Sequence, residues 1–179
     1  GNFIVYHDRQ PVVIDLGRDT YTSQTFGKNR YTLTNNRSAY HNVPVIAGRE
    51  QSSGRRFKAL DVEHLADDTL SQMRMNLSSA YPEDIHVPYW NRTVTLNRQT
   101  GRVEVEEQFQ TDSLSEGQPT GIVLMCYGEP RVVKDGTITL QNHRVRLDYD
   151  SAVLHPYIEK VDMQDGIMKR QWRDNVYRI

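Results

Sequence analysis

The chain has 179 residues, and its 22 lysines and arginines nearly balance its 23 aspartates and glutamates, for a formal net charge of −1. This length is enough for one domain with a hydrophobic core, and the near-neutral charge argues against nucleic acid as a partner, because phosphate-binding domains are usually strongly basic. The single cysteine, Cys126, excludes an intrachain disulfide, and no apolar run approaches the roughly 20 residues of a membrane-spanning helix, so we expect no membrane partner either.

The first third of the chain carries short apolar runs that are separated by polar turns. Residues 3–6 and 11–16 lie on either side of a polar segment, a pattern that predicts a β-hairpin. Further short strands are predicted at residues 31–33, 43–47 and 56–63, where β-branched, aromatic or alternating apolar residues recur.

The middle of the chain contains one ambiguous segment and one clear hairpin. In residues 70–77, the apolar positions 70, 73 and 77 suit a helix, whereas positions 73, 75 and 77 suit a strand. The strand-rich surroundings favour the strand. Residues 92–98 and 102–110 alternate between apolar and polar side chains around a Gln-Thr-Gly turn, which predicts a hairpin with one solvated face.

The last third continues the same pattern. Residues 121–127 are almost continuously apolar, which is typical of a strand buried on both faces. Asp135-Gly136 is a strong hairpin signal between two strands, and the predicted strands of this part are 131–134, 137–141, 144–149, 152–158 and 175–179. The whole pattern predicts an all-β fold, an antiparallel two-sheet β-sandwich of many short strands, in a single domain that spans residues 1–179.

Asp15 and His41 are the candidate site residues. Asp15 ends an apolar run, and a buried carboxylate requires a hydrogen bond, a charged partner or a metal ion. His41 follows 26 positions later, ahead of another apolar run, so the chain can fold back, and we expect the two side chains to lie close together on neighbouring strands. A carboxylate and an imidazole suit zinc or a similar divalent ion, but metal sites normally use three or four protein ligands. From the residues alone, a simple Asp–His hydrogen bond that fixes one loop against another is therefore the favoured interpretation.

Three short motifs around these residues point to a known family. They are, in chain order, Gly1-Asn2-Phe3, Ile14-Asp15-Leu16-Gly17 and Ser38-Ala39-Tyr40-His41-Asn42. Their order and spacing resemble the β-sandwich part of heparinase II/III-like polysaccharide lyases. The match is dense in the first third of the chain and rests downstream mainly on strand order and on residues 77–82.

The resemblance implies a domain organisation and a ligand set. Members of the family have a helical (α/α) toroid followed by the β-sandwich, so the chain is expected to be a C-terminal domain that lacks its upstream toroid. Asp15 and His41 are then metal ligands, and a third ligand, a histidine, lies in the segment ahead of Gly1. The ion is expected to be structural zinc, which an incomplete ligand set would leave partly or wholly absent in the isolated chain.

The resemblance also implies an activity, which is the β-elimination of uronate-containing glycans such as heparin or heparan sulfate. The acid and base come from the toroid, so no residue of this chain is assigned a catalytic role, and no substrate-binding residue is identified. The domain is expected to form one wall of the substrate cleft and to be inactive alone. The implied partners are an acidic polysaccharide and the chain's own toroid, in a periplasmic or secreted bacterial protein.

The alternative function is a non-catalytic carbohydrate-binding or purely structural β-sandwich. Its support is the missing nucleophile–base pair and the presence of Trp90, because an exposed indole can stack on a sugar ring. An indole packed against the sandwich is nevertheless the favoured interpretation of Trp90. Tyr40, which adjoins His41, is not assigned a catalytic role, because in an extended chain its side chain would point to the face opposite His41. The remaining histidines show no ligand spacing and are expected to be surface or hydrogen-bonding residues: His7, His64, His86, His143 and His155.

Overall fold

The computed structural model describes residues 1–111, 117–141, 144–164 and 166–179. Strands account for 37% and helices for 11% of the described residues, and every strand pairing among them is antiparallel. The predicted all-β class is therefore confirmed. No helix in these ranges is both long and apolar enough to cross a membrane.

The strands are short and follow one another at close intervals. In chain order they are β1 (Val5–His7), β2 (Gln10–Val13), β3 (Pro44–Val45), β4 (Leu60–Ala66), β5 (Leu70–Asn76), β6 (Tyr89–Asn97), β7 (Val103–Gln110), β8 (Gly121–Ile122), β9 (Met125–Tyr127), β10 (Arg131–Lys134), β11 (Thr137–Leu140), β12 (Val145–Asp148), β13 (Glu159–Lys160) and β14 (Val176–Arg178). The helical segments are α1 (Gly166–Trp172) and the 3₁₀ turns Arg30–Thr32, Thr34–Asn36, Ser38–Tyr40 and Ser78–Ala80.

The described residues form two compact units. The first comprises Gly1 and Ile46–Thr120, and the second comprises Asn2–Val45 and Gly121–Ile179. The second unit is thus built from two separate stretches of the chain. That the two units form one domain over residues 1–179 stays a prediction.

The first unit contains a four-stranded sheet in the order β4-β5-β6-β7. The predicted hairpin is present as the β6–β7 pair, with Val94 opposite Val105. One end of the sheet packs against an apolar cluster that includes Met75, Leu77 and Trp90. Burial of these large side chains is the main stabilising contribution in this unit, at about 1.5–3 kcal/mol for each fully buried aliphatic side chain.

The second unit contains a five-stranded sheet (β1-β2-β9-β14-β13), a three-stranded sheet (β10-β11-β12) and the small β3-β8 pair. Side chains of the five-stranded sheet pack against Ile138 and Leu140 of the three-stranded sheet in one apolar cluster. This packing of two antiparallel sheets is a β-sandwich, as predicted. A second cluster surrounds Trp172 of α1 and includes Ile14 and Met125.

Two predicted strands are wrong, and in both places side chains compete with strand hydrogen bonds. Residues 30–32 form a 3₁₀ turn, in which the Thr32 hydroxyl and the Asn36 amide donate to backbone carbonyls. Residues 152–158 form a turn and loop, where the Asp150 carboxylate accepts from the backbone N–H of Ala152. Asn, Asp and Thr side chains commonly displace regular structure in this way.

Other predicted strands are present, but their boundaries differ from the prediction. The apolar run at 121–127 is divided into β8, which pairs with β3, and β9, which pairs with β2 and β14. The predicted strand at 56–63 begins only at Leu60. Helix α1 was not predicted because its apolar face consists of little more than Met168 and Trp172, at the i, i+4 spacing.

Candidate functional site

Asp15 and His41 meet in the second unit. The distance between His41 Nδ1 and Asp15 Oδ2 is 2.8 Å, so the predicted contact is present. Neither residue lies in a strand, however. Asp15 follows β2, and His41 follows the last of three consecutive 3₁₀ turns, so the contact joins two loops rather than neighbouring strands.

The sequence around His41 fixes its position. The backbone N–H of His41 donates to the Ser38 carbonyl and closes the preceding 3₁₀ turn, after which His41 is extended, with φ −126° and ψ 164°. The second ring nitrogen, Nε2, lies 3.0 Å from the Asn35 carbonyl oxygen. Because a carbonyl oxygen only accepts, Nε2 carries a proton.

Asp15 is held by donors on either side. Its Oδ1 accepts from the backbone N–H of Gly17 at 2.8 Å, and its Oδ2 accepts from the Asn2 amide at 2.6 Å. Gly17 has a φ of +77°, a left-handed conformation that glycine adopts without strain and that closes the turn onto the carboxylate. All of these donors favour the ionised form of Asp15.

Asn42 organises the backbone under this pair. Its side chain is fully buried, with Nδ2 donating to the Phe3 and Ile14 carbonyls at 2.7 and 2.9 Å. Its Oδ1 accepts from the backbone N–H of Met125 at 2.7 Å. Asn42 belongs to the third sequence motif, but the sequence alone does not predict its role, because its partners lie up to 83 positions away.

Asp15 and His41 form an ion pair. The hydrogen bond from His41 holds the pKa of Asp15 below its usual value, although partial burial opposes this. The hydrogen bond to Asp15 likewise raises the pKa of His41 above its usual value, again against burial. With Nδ1 and Nε2 both donating, the ring is an imidazolium.

These two shifts define the pH range in which the pair stabilises the fold. A lowered Asp15 pKa gives a contribution that is present above the unfolded pKa and is lost as the pH falls through the folded one. A raised His41 pKa gives a contribution that is present below the unfolded pKa and is lost as the pH rises through the folded one. The pair therefore stabilises the fold most between about pH 4 and 6.5.

The pair is accessible, and its chemistry fits a divalent metal only in part. The side chains of His41 and Asp15 are 22% and 34% exposed, and imidazole and carboxylate are both common zinc ligands. Within the described ranges, no group of three or more His, Cys, Asp and Glu side chains is arranged to hold a metal ion. The chain thus supplies two donors of the right type, and their role as metal ligands stays a prediction.

The other residues considered from the sequence have different surroundings. Trp90 is 1% exposed and stacks on Phe109, with ring centroids 4.2 Å apart, so it offers no face to a sugar. The guanidinium groups of Arg37 and Arg178 each lie over the ring of Tyr40, 5.4 and 5.3 Å from its centroid. His143 lies outside the described residues.

Cys126 is not a candidate nucleophile. It lies in β9 and its side chain is buried. Burial raises the pKa of the thiol to about 12, which leaves almost no thiolate at neutral pH.

A comparison with protein-family models gives no match to this chain, and no curated protein matches it significantly.

Proposed function

We propose that this chain is the C-terminal β-sandwich region of a heparinase II/III-like polysaccharide lyase, where it forms one wall of the substrate cleft and carries part of a structural zinc site. One observation supports this above all. The three motifs that carry the resemblance are distant in sequence, yet they converge on one point through Asn2, Asp15 and His41. Such convergence is expected if the motifs serve a common site.

In this proposal the domain shapes the cleft and does not carry out proton transfer. Eliminative cleavage needs a base that removes the proton next to the uronate carboxyl group and an acid that protonates the leaving oxygen, both within hydrogen-bond reach of the sugar. These groups belong to the upstream toroid. Asp15 and His41 would hold zinc, which when bound fixes the two loops and the third ligand's segment to one another.

Protons compete with zinc at this site. His41 must lose the Nδ1 proton that it donates to Asp15 before that nitrogen can bind a metal. Because the hydrogen bond to Asp15 raises the pKa of His41, zinc affinity should fall as the pH drops below that pKa. Asp15 supports the metal in its ionised form, which its lowered pKa maintains.

Zinc content tests the metal site. We expect the protein with its upstream segment to bind zinc, and the Asp15→Asn and His41→Gln variants each to lose at least about tenfold in affinity, measured by competition with a chromophoric chelator. The matched control is the exposed His7–Asp8 pair, 3.4 Å apart in a hairpin, where His7→Gln should leave zinc binding unchanged. Equal affinity in wild type and His41→Gln would contradict the site.

Turnover tests the activity. The full-length protein should release unsaturated uronate from at least one of heparin, heparan sulfate and alginate, followed by ultraviolet absorbance, whereas residues 1–179 alone should not. A full-length protein that is inactive on uronate glycans would contradict the lyase assignment. Robust turnover by residues 1–179 would contradict the placement of the acid and base in the toroid.

The second candidate is a non-catalytic carbohydrate-binding or structural β-sandwich. It is favoured by the fact that both ring nitrogens of His41 already have protein partners, as in a metal-free clamp between loops. In that case added zinc would not raise the melting temperature of the protein with its upstream segment. The buried Trp90 cannot provide its sugar-binding surface.

A further inference from the structure

A polar cavity lies in the second unit, at the opposite end of β2 from Asp15. Its volume is about 520 Å³, and its lining includes Asp8, Gln10, Tyr127, Gln141, Arg144 and Asn175. These residues come from the β1–β2 turn, the start of β2, the end of β9, the segments that flank β11 and β12, and the residue before β14. The cavity therefore collects side chains that lie in or next to the five-stranded and three-stranded sheets of this unit.

Several of these side chains make no hydrogen bond to another described residue, and of these Gln10 and Arg144 are exposed to solvent. Within the described ranges, the side-chain amides of Gln10, Gln141 and Asn175 and the guanidinium of Arg144 have no protein partner. The Gln141 Oε1 atom is in addition buried. A buried polar atom without a partner is destabilising and uncommon in folded proteins, and convergence of open groups on one cavity is typical of a ligand site.

The backbone at the cavity has unusual conformations. Asp8 and Gln141 have φ values of 49° and 50°, in the left-handed region that residues other than glycine rarely adopt. At Asp8 this conformation belongs to the two-residue β1–β2 turn, in which Arg9 also has a positive φ of 62° and His7 pairs with Gln10. At Gln141, which lies outside that turn, it costs free energy. Gln141 thus combines backbone strain with an unpartnered buried acceptor.

The side chains that line the cavity are suited to a ligand with several hydroxyl groups. Each amide offers a donor and an acceptor, Arg144 only donates and an ionised Asp8 only accepts, so the set suits hydroxyl groups, which do both. The opposite charges of Asp8 and Arg144 cancel, which disfavours a strongly anionic ligand. Tyr127 adds a ring held against Trp172, with centroids 5.8 Å apart, and a sugar ring can pack on an aromatic face.

We propose that this cavity binds a neutral saccharide unit. The amides and the two charged groups would hydrogen-bond the hydroxyls, and Tyr127 would contact the apolar face of the sugar ring. This inference does not depend on the metal pair or on the lyase assignment. It places a saccharide contact on the β-sandwich, away from the Asp15–His41 site.

Sugar titrations followed by ¹⁵N NMR test the proposal on residues 1–179. Glucose, galactose, mannose and N-acetylglucosamine are added separately, with glucuronate and glycine as charged and zwitterionic comparisons. We expect at least one neutral sugar to shift the backbone amides of Asp8, Gln10 and Asn175. The Gln10→Ala/Arg144→Ala variant should weaken that sugar's binding by about tenfold or more, as the loss of hydrogen bonds to a charged donor implies.

Two further variants control for non-specific effects and for misfolding of the first variant. Gln99→Ala/Arg102→Ala changes the same residue types at exposed positions of the other unit and should leave the titration unchanged. Asn175→Ala provides an independent second variant with the same expected loss if the first fails to fold. The proposal is overturned if no neutral sugar shifts these amides, if only glucuronate or glycine does, or if binding survives in both cavity variants.

Discussion

The hydrogen bonds of Asn42 explain why the segment around His41 has a fixed place. The buried side chain satisfies the carbonyls of Phe3 and Ile14 and the N–H of Met125, while its own N–H donates to Asn2 Oδ1 at 3.0 Å. Asn2 in turn donates to Asp15. Asn42 therefore holds in place the backbone segments on which Asp15 and His41 lie.

The Asn42→Ala variant should be strongly destabilised. It leaves two carbonyls and one N–H without their side-chain partner in a fully buried position, and the expected loss is about 3 kcal/mol of unfolding free energy. Urea unfolding measures it. Asn29→Ala, at an exposed position without a side-chain cap hydrogen bond, is the control and should change stability by less than about 0.5 kcal/mol. An equally small effect for Asn42→Ala would contradict this role.

Among individual residues, the sequence predicted the contact between Asp15 and His41 but not the role of Asn42, which holds the backbone around them. The contact between Asp15 and His41 follows from a motif in which a carboxylate and a histidine each adjoin an apolar run. The role of Asn42 depends on Met125, and that of Gln141 on a cavity that only the folded chain forms. Local spacing contains no information about such partners, so these residues could be identified only from the structure.

Among the elements, the β6–β7 hairpin contains a buried ion pair. Arg92 lies opposite Glu107 in the register of the two strands, and their side chains are 0% and 5% exposed. Arg92 Nε donates to Glu107 Oε1 at 2.7 Å, and Trp90 Nε1 donates to Oε2 at 2.7 Å. Arg92 Nη1 also donates to the Gly1 carbonyl, so that the first residue is attached to this sheet.

Removing one member of this pair should be worse than removing both. Arg92→Met leaves the Glu107 carboxylate buried without its cation and should cost about 3–5 kcal/mol, whereas Arg92→Met/Glu107→Leu removes the uncompensated charge and should cost less than either single change. A double-mutant cycle by urea unfolding measures the difference. Arg102→Met, at an exposed pair with Glu104, should have an effect below about 1 kcal/mol. Additive losses in the cycle would contradict the interpretation.

The elements that the sequence predicted well are those with both alternation and a specific turn. The hairpins β6–β7 and β10–β11 have polar turns at Gln99–Gly101 and Asp135-Gly136, and both Gly101 and Gly136 have positive φ values. The prediction failed where Asn, Thr and Asp side chains bind the nearby backbone, as in the 3₁₀ turn Arg30–Thr32 and after Asp150. Strand propensity there is overridden by local hydrogen bonds.

In the molecule as a whole, the Asp15–His41 site depends on residues from distant parts of the chain. The second unit joins Asn2–Val45 to Gly121–Ile179, and β2 obtains its inner neighbour, β9, from the later stretch. The Trp172 indole donates to the Leu16 carbonyl at 3.0 Å, and Arg178 donates to the Ala39 carbonyl at 3.2 Å. The C-terminal residues therefore help to fix the loops on which Asp15 and His41 lie.

Deletion of residues 161–179 should consequently destroy the Asp15–His41 site although both residues remain. It removes Met163, Met168, Trp172 and Val176 from the cluster that contains Ile14 and Leu16, and each large apolar side chain contributes about 1.5–3 kcal/mol when buried. In hydrogen exchange followed by mass spectrometry, we expect residues 12–16 and 38–43 to exchange at the rate of an unfolded chain. The amides of β5 and β6, whose pairing and core lie in the other unit, should stay protected. Lys169→Ala, at an exposed position of α1, should leave both regions protected. Retained protection of residues 12–16 in the truncated chain would show that this segment folds without residues 161–179. The Asp15–His41 site would then not depend on α1 and β14.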